Sequence, residues 1–223
     1  MITSISNEKV KLARSLMRRR VRWRERSFIL EGVRLLSDAL QRNIAPRFVL
    51  RTPAAEAHSD FALLTELLAQ RQIPHYTVSD EVMKACSDTI TPPGILAVMP
   101  FHDVPAPPHS TWTLVTDGVR TPGNLGAILR AAAAAGVGQV LLAPGTVDHY
   151  NPKVVRGGAG AHFCLSIQPL SWPEIEMRLE GLDIWLAASR GDLPYTDVNW
   201  TRPLALIVGG EARGASQMAL ALA

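Results

Sequence analysis

The chain has 223 residues, of which 47% are hydrophobic, with a mean hydropathy of +0.09 and a formal net charge of +3. This composition excludes a disordered chain and suits one large or two small soluble domains. No apolar run is long enough to cross a bilayer, and the N-terminus lacks the apolar core of a signal peptide. Cys86 and Cys164 have no metal-type spacing, so we expect idle thiols in a reducing cytoplasm and no metal site.

Positive charge is concentrated between Lys9 and Arg26, where Glu25 is the only acidic residue. Such a run is typical either of a solvated helix face or of a surface that binds a phosphate backbone. Repulsion among so many like charges favours nucleic acid as the partner. The arginines predicted to contact it are Arg18, Arg19, Arg20, Arg22, Arg24 and Arg26.

Hydrophobic periodicity in the first half alternates between helix and strand. Helices are predicted over residues 6–16, 33–40, 61–70 and 79–86, and strands over residues 28–30, 48–50, 75–78 and 95–99. Ser6 and Ser79 are the predicted caps of the first and last of these helices. Residues 1–102 are therefore predicted to form a small α/β domain, which ends at a proline-rich linker over residues 103–110.

The second half, residues 111–223, contains near-continuous apolar strands that alternate with helices. Its predicted strands are residues 112–116, 140–143, 163–167, 184–187 and 204–208, with a helix over residues 173–179. After the first strand, Pro122 and Gly123 predict a turn, and Asn124 is the predicted N-cap of an alanine-rich helix. This pattern predicts a parallel sheet that is covered by helices on both faces.

Several common sites are excluded by their motifs. The chain has no G-x-x-x-x-G-K-[ST] loop, no G-x-G-x-x-G after the first strand of the second half, no nucleophile elbow and no clustered histidines. Three segments of the second half instead combine glycines with polar side chains. They are residues 116–136 with Asn124 and Arg130, residues 148–161 with Lys153 and Arg156, and residues 204–216 with Gly209, Gly210 and Glu211.

Each of these segments is open to a purely structural interpretation. The first could be a tightly packed helix with one exposed arginine, the second a structural glycine loop, and the third an ordinary strand, turn and helix. A strand that ends in glycines, however, presents free backbone groups at the carboxyl edge of a parallel sheet, where such sheets bind ligands.

Taken together, the three segments resemble the SpoU (TrmH) class of the SPOUT RNA methyltransferases, which transfer methyl from S-adenosylmethionine to a ribose 2′-hydroxyl. The first family motif is similar to residues 117–130, the middle stretch YNPKVVRxSxGA to residues 150–161, and the second motif to residues 208–216. RSFILEGVRLL at residues 26–36 and TPPGILAV at residues 91–98 are similar to the family's RNA-binding substrate domain.

The resemblance implies a trefoil-knot methyltransferase domain over residues 111–223, which binds S-adenosylmethionine and forms a homodimer. Arg130 would stabilise the forming alkoxide, Asn124 would orient Arg130 or the ribose, and Glu211 would hold a neighbouring group. Lys153 and Arg156 would contact RNA, with ribosomal RNA favoured over transfer RNA. The implied cofactor loops are residues 187–190 and 208–211, with Ala187, Ala188, Ser189, Val208, Gly209, Gly210 and Glu211 as the binding residues.

The chain also departs from the family pattern. Gly210 stands where asparagine or alanine is usual, which we expect to be a mild change, and Gly157 and Gly158 replace small or hydroxyl residues. The third family motif is absent, so we expect the chain to be truncated relative to a full-length enzyme. A non-catalytic RNA-binding homologue and a different α/β enzyme with a nucleotide cofactor are the alternatives.

Overall fold

The structure is a computed structural model that describes residues 1–108, 111–189, 191 and 193–223. These residues form two compact units. The first unit is Met1–His102 with Tyr150–Phe163, and the second is Asp103–His149 with Cys164–Ala223. The predicted linker residues His109 and Ser110, and Arg190 of the implied cofactor loop, lie outside the described residues.

The helices and strands follow in chain order. In the first half they are α1 Glu8–Ser15, α2 Arg19–Glu25, β1 Ser27–Glu31, α3 Val33–Gln41, β2 Phe48–Arg51, α4 Phe61–Gln70, β3 His75–Thr77, α5 Asp80–Cys86 and β4 Ile95–Pro100. In the second half they are β5 Trp112–Asp117, α6 Pro122–Ala134, β6 Gln139–Leu142, α7 Pro152–Gly158, β7 Ser166–Pro169, α8 Trp172–Leu179, β8 Asp183–Ala187, β9 Leu204–Gly209 and α9 Gln217–Leu222. Within the described part of the chain, no helix has the length and apolar character needed to span a bilayer.

The first unit is built on a mixed sheet in the order β1-β4-β2-β3, in which β4 is antiparallel to both neighbours and β2 is parallel to β3. Because successive strand residues point to opposite faces, its apolar strands feed two cores. Phe28 and Leu30 pack in one core with residues of α3 and α4. Ile29 packs in the other with residues of α1 and α5.

The segment after β6 completes the first of these cores. Tyr150 stacks on Phe101 with ring centroids 3.9 Å apart, and its ring lies 4.8 Å from that of Phe28. The Tyr150 hydroxyl also donates to the His102 carbonyl at 3.1 Å. Val155 and Phe163 belong to the same core. By packing, residues 150–163 therefore lie with the first unit, although the sequence boundary assigns them to the second domain.

The second unit is built on a parallel sheet in the order β7-β6-β5-β9-β8. On one face, Val115, Leu141 and Ile207 of the central strands pack with Ile175 of α8 and Ala219 of α9. Helix α6 connects β5 to its neighbour β6 and buries Leu125 and Leu129. The predicted parallel α/β fold is confirmed.

Some local predictions are wrong. Helix α1 is capped by the Asn7 side chain, which accepts from the Lys9 N–H at 3.0 Å, and not by Ser6. Pro122 and Gly123 do not form a separate turn but begin α6, since the φ that proline imposes suits the first helical position as well as a turn. Asn124 consequently lies inside the first turn of α6, and the N-cap is Thr121.

Two more predictions, for residues 152–158 and for the strand expected from Phe163, differ from the structure. Residues 152–158 form a helix, α7, where we expected a glycine loop. Asn151 caps this helix and Pro152 begins it, so its N-terminal chemistry outweighs the two glycines at its end. The strand predicted from Phe163 begins instead at Ser166, because Phe163 is the last residue of a 3-10 turn.

Candidate active site

The carboxyl ends of β5 and β9 form the centre of the candidate active site. Thr116 lies beside Val208 and Asp117 beside Gly209 in this parallel pair. The chain leaves β5 towards β6 on one side of the sheet and enters β9 from β8 on the other. The strand order therefore reverses between β5 and β9, and crevices at such switch points are where open α/β sheets bind ligands.

The glycines at the end of β9 are required by close backbone contacts. A Cβ added at Gly210 would lie 2.4 Å from the Gly118 carbonyl oxygen, and one at Gly209 would lie 2.5 Å from the Ala215 nitrogen. The loop then folds back, with two backbone hydrogen bonds of 3.1 and 3.0 Å between Gly210 and Gly214. Our expectation that glycine is a mild change at position 210 is wrong for this chain, since any side chain there displaces backbone.

Glu211 joins the loop after β9 to the start of α6. Its Oε2 accepts from the Arg120 N–H at 3.1 Å, and its Oε1 accepts from the Thr121 N–H at 3.1 Å and the Asn124 amide at 2.9 Å. Backbone N–H groups at a helix N-terminus lack partners within the helix and attract negative charge. Glu211 thus supplies the cap that Thr121 does not.

The hydrogen bonds around Glu211 lower its pKa from the ordinary value of 4.5 to about 2. The bond from its own backbone N–H has the largest effect, followed by the bond from Arg120, and the bonds from Thr121 and Asn124 act in the same direction. Donors stabilise the charged form of a carboxylate. Glu211 is therefore an anion at neutral pH that orients its neighbours, and it is not an acid or base.

The other end of the loop after β9 is held by Asp117, the last residue of β5. Its Oδ2 accepts from the Ser216 N–H at 2.5 Å, and the Ser216 hydroxyl in turn accepts from the Ala219 N–H at the start of α9. We did not assign a role to Asp117 or Ser216 from the sequence. Only their positions in the sequence could have indicated a role: Asp117 directly follows the predicted strand 112–116, and Ser216 precedes an apolar segment.

The loops after β5, β6 and β9 enclose a cavity of about 380 Å³. It is lined by Asp117, Gly118, Arg120, Thr121, Pro144, Gly145 and residues 210–216. This volume lies within the range of small-molecule sites, about 300–1,000 Å³. Gly118, Gly145 and Gly214 carry no side chain that would fill it. The lining also includes the charged residues Arg120, Glu211 and Arg213, so the site fits a nucleoside that carries a charged amino-acid group.

The predicted cofactor residues lie along this edge of the sheet. Gly210 and Glu211 line the cavity, and Val208 and Gly209 are the last residues of β9. Ala187 ends β8 beside Val208, and Ala188 and Ser189 follow it as exposed residues. Ala187, Ala188 and Ser189 are not among the described residues that line the cavity.

Arg130 lies on the exposed side of α6, whose buried residues are Leu125, Gly126, Leu129 and Ala132. Arg130 is six positions after Asn124, which places the two side chains about 120° apart around the helix. The structure therefore brings Asn124 to Glu211 and not to Arg130. Among the described residues, Arg130 has no hydrogen bond or ion pair, so its guanidinium is available to a ligand outside the chain.

The predicted RNA-binding arginines around α2 do not share one environment. Arg18, Arg19, Arg20, Arg24 and Arg26 are exposed. Arg22 is an exception, because only 2% of its surface is accessible. Its Nη1 donates to the carbonyls of Leu16 and Met17 at 2.8 and 2.9 Å, at the end of α1. Arg22 stabilises the turn between two helices, and its burial is inconsistent with the RNA contact that we predicted.

Lys153 and Arg156 lie on the exposed side of α7, in the first unit. Arg156 donates to Asp88 Oδ1 at 2.8 Å, and its Nη1 is 3.9 Å from Glu31 Oε1. Burial raises the pKa of Glu31, which a bond from Ser87 and the charge of Arg156 partly oppose. Arg156 therefore compensates a buried carboxylate as well as presenting a cation at the surface.

Models of known protein families match both parts of the chain. Residues 111–223 match the SpoU rRNA Methylase family model, and residues 7–97 match the MRM3-like substrate binding domain. The chain belongs to the SpoU methylase family. As a SpoU enzyme it is an RNA methyltransferase, and its methyl donor is S-adenosylmethionine.

Named relatives of this SpoU enzyme extend over most of the chain. The 23S rRNA (guanosine(2553)-2′-O)-methyltransferase RlmP of Bacillus subtilis is 31% identical over 217 residues, which cover 96% of this chain and 83% of RlmP. Mitochondrial rRNA methyltransferase 3 of Homo sapiens is 31% identical over 91% of this chain and 60% of its own length.

A solved structure is similar to this chain over most of its length. The SpoU methyltransferase AviRb from Streptomyces viridochromogenes, in complex with the cofactor AdoMet, superposes with a TM-score of 0.84 at 25% identity. The match covers 97% of this chain and 86% of AviRb.

Proposed function

We propose that this SpoU enzyme transfers a methyl group from S-adenosylmethionine to a ribose 2′-hydroxyl of ribosomal RNA. The observation that carries the proposal is the glycine-lined cavity at the switch point, whose lining residue Glu211 also accepts a hydrogen bond from Asn124 of α6. Ribosomal RNA is favoured over transfer RNA because RlmP and mitochondrial rRNA methyltransferase 3 are both named for it. No finding supports the non-catalytic alternative.

The cofactor supplies an electrophilic methyl group on a sulfonium sulfur. The loop residues 208–211 would hold it through backbone groups, with Ala187, Ala188 and Ser189 at the same edge of the sheet. Residues of the chain must then bring the ribose hydroxyl into line, since orientation alone is worth roughly 7–11 kcal/mol of a barrier.

Arg130 is the proposed catalytic residue. A ribose hydroxyl becomes a better nucleophile when the negative charge that develops on its oxygen is stabilised. Arg130 acts as a fixed positive charge beside the ribose oxygen, and the hydroxyl proton passes to solvent as the methyl group leaves the sulfonium sulfur and bonds to the oxygen. Asn124 and Glu211 are positioning residues, because they anchor the first turn of the helix that carries Arg130.

RNA is proposed to contact the exposed cations of the first unit. These are Arg18, Arg19, Arg20, Arg24, Arg26, Lys153 and Arg156. Residues 1–102 then serve as the substrate-binding part and residues 111–223 as the methyltransferase part. We also propose a homodimer in the cytoplasm, in keeping with the family; light scattering on the purified chain tests the dimer.

Replacing Arg130 tests the catalytic assignment. We expect Arg130→Ala to lower methyl transfer to ribosomal RNA by about 10²-fold or more, the usual effect of removing one group that stabilises a developing oxyanion. Arg130→Lys should restore only part of the rate, since it keeps the charge without the planar fork. The measurement is single-turnover transfer of labelled methyl, with cofactor affinity followed by calorimetry.

Arg202→Ala is the matched control. Arg202 is also exposed and pairs with Asp183 at the start of β8, which is the opposite edge of the sheet from the cavity. This variant should keep the wild-type rate. Unchanged turnover in Arg130→Ala would remove Arg130 from the mechanism.

A further inference from the structure

The exposed face of α1 and the start of α2 carry cations that open onto a cleft. Lys11 and Arg14 are three residues apart on α1 and share a helix face, while Val10 and Ala13 are buried on its other side. Arg18 follows the end of α1 as the N-cap of α2 and is exposed. These three cations and Arg24 of the next helix line a concave space of about 670 Å³. Leu12, Ser15 and Ala85 complete the lining. We call this space the basic cleft.

Three of the four cations of the basic cleft lack the carboxylate partner that Arg34 and Arg42 have elsewhere in the first unit. Arg34 pairs with Asp60 at 3.0 Å, and Arg42 pairs with Asp38 at 3.2 Å. Among the described residues, by contrast, the side chains of Lys11, Arg14 and Arg18 have no ion pair.

Arg24 is the one member of the cleft with an acidic partner, Glu25 at 2.9 Å. Several like charges facing one concavity repel one another, and that repulsion is relieved when an anion binds.

Arg22 accounts for the shape of the basic cleft. Its buried guanidinium holds the Leu16 and Met17 carbonyls at the end of α1, and α2 begins two residues later at Arg19. This short, fixed turn brings Arg24 of α2 to the same concavity as Arg14 of α1. The cleft is therefore built by the fold and is not the outcome of a flexible basic tail.

We propose that the basic cleft binds the phosphate backbone of the RNA substrate, with Lys11, Arg14 and Arg18 as its principal contacts. The proposal rests on the proposed function, and it deepens that function by adding Lys11 and Arg14 to the arginines predicted to contact RNA. It also makes Arg22 a positioning residue. A concave group of ammonium and guanidinium charges suits a backbone that carries one negative charge per nucleotide.

The test is RNA affinity as a function of salt for the triple variant K11A/R14A/R18A in the full chain. The probe is a labelled RNA hairpin of mixed sequence, and the wild-type protein is measured in parallel. Each phosphate contact contributes about 0.7–0.9 to the slope of log K against log[salt], so three lost contacts should flatten the slope by about two to three. Affinity at about 0.1 M salt should fall at least tenfold.

The control R34A/R42A/R71A removes the same charge from arginines of the first unit that bond to Asp60, Asp38 and Asn43 outside the cleft. The slope of log K against log[salt] for this control should change by less than half of the change seen with K11A/R14A/R18A. Equal slopes for the two triple variants would overturn the proposal, because net charge alone would then explain the effect. A loss of binding to phosphatidylserine vesicles without a loss of RNA affinity would also overturn it.

Methyl transfer by the wild-type protein separates this proposal from the proposed function. If wild type methylates ribosomal RNA and K11A/R14A/R18A keeps its affinity, only the basic cleft is wrong. If wild type binds RNA through the cleft but transfers no methyl, the proposed function fails and the cleft stands. The milder variant K11Q/R18Q keeps polar stems and should flatten the slope by about one to two, which provides the same test should the alanine variant fold poorly.

Discussion

Gly210 shows how the candidate active site depends on the absence of a side chain. Gly210 is the first residue after β9 and lies against Gly118, which follows β5, so closely that a β-carbon would collide with the Gly118 carbonyl oxygen. The collision is with backbone, which cannot rotate away as a side-chain end can. The loop after β9 therefore reaches the cavity only because residue 210 has no Cβ.

Replacing Gly210 with alanine should damage both stability and the cofactor site. We expect Gly210→Ala to lower the free energy of unfolding by about 1–3 kcal/mol, the usual effect of forcing a methyl group into a packed site. Affinity for S-adenosylmethionine should fall as well, because the loop that lines the cavity must move. Urea unfolding and calorimetry measure the two effects.

Gly123→Ala is the control for this substitution. A Cβ at Gly123, in the first turn of α6, would meet nothing within 4 Å. Alanine is favoured over glycine in a helix by up to about 1 kcal/mol, so this variant should be at least as stable as wild type. Equal losses in the two variants would show that the contact between residues 210 and 118 is not the cause.

At the scale of elements, the start of α6 and the loop after β9 depend on each other through Glu211. The carboxylate accepts three hydrogen bonds from residues 120, 121 and 124, and no other cap satisfies this end of the helix among the described residues. Its pKa of about 2 lies below the ordinary value of 4.5. Its contribution to stability is therefore complete above pH 4.5 and is lost as the pH falls through 2.

Glu211→Gln tests this dependence, because an amide keeps the shape but can no longer accept from all three donors. We expect a lower melting temperature than wild type, with a difference that is constant between about pH 5 and 8 and narrows below pH 4.5. Glu176→Gln, on the exposed side of α8, should show no such difference. A gap between Glu211→Gln and wild type that widened in acid would contradict the role of the carboxylate.

At the scale of the whole molecule, the two compact units are not two consecutive stretches of the chain. Residues 150–163 come between two strands of the second unit yet complete a core of the first. Tyr150 is the clearest member, since its ring stacks on Phe101 and its hydroxyl bonds to the His102 backbone. Apolar side chains near both ends of the segment, and not its place in the chain, decide where it packs.

Tyr150→Ala should therefore destabilise the first unit strongly. Removing a buried aromatic side chain costs about 3–5 kcal/mol of unfolding free energy. Tyr195→Ala is the control, because 77% of Tyr195 is exposed, and it should change stability by less than about 0.5 kcal/mol. Similar losses in the two variants, measured by urea unfolding, would refute the proposed importance of the stack.

The sequence by itself determined most of the helices and strands, the parallel sheet of the second unit and the segments that surround the candidate site. These features depend on local periodicity and on turn and cap residues, which can be recognised within about ten positions. Strand ends with glycines also indicated the edge at which the cavity lies. Boundaries were less certain where two chemistries compete, as at Pro122, which suits both a turn and the first position of a helix.

Only the tertiary structure decided which side chains meet. Glu211 finds its donors about 90 residues earlier in the chain, and Arg22 is buried although it stands among exposed arginines of the same type. The basic cleft likewise needs the turn that Arg22 fixes between two helices. Partners of this kind are set by the path of the backbone through space. Residue type and local spacing do not show that path, because it is set by how the apolar cores pack.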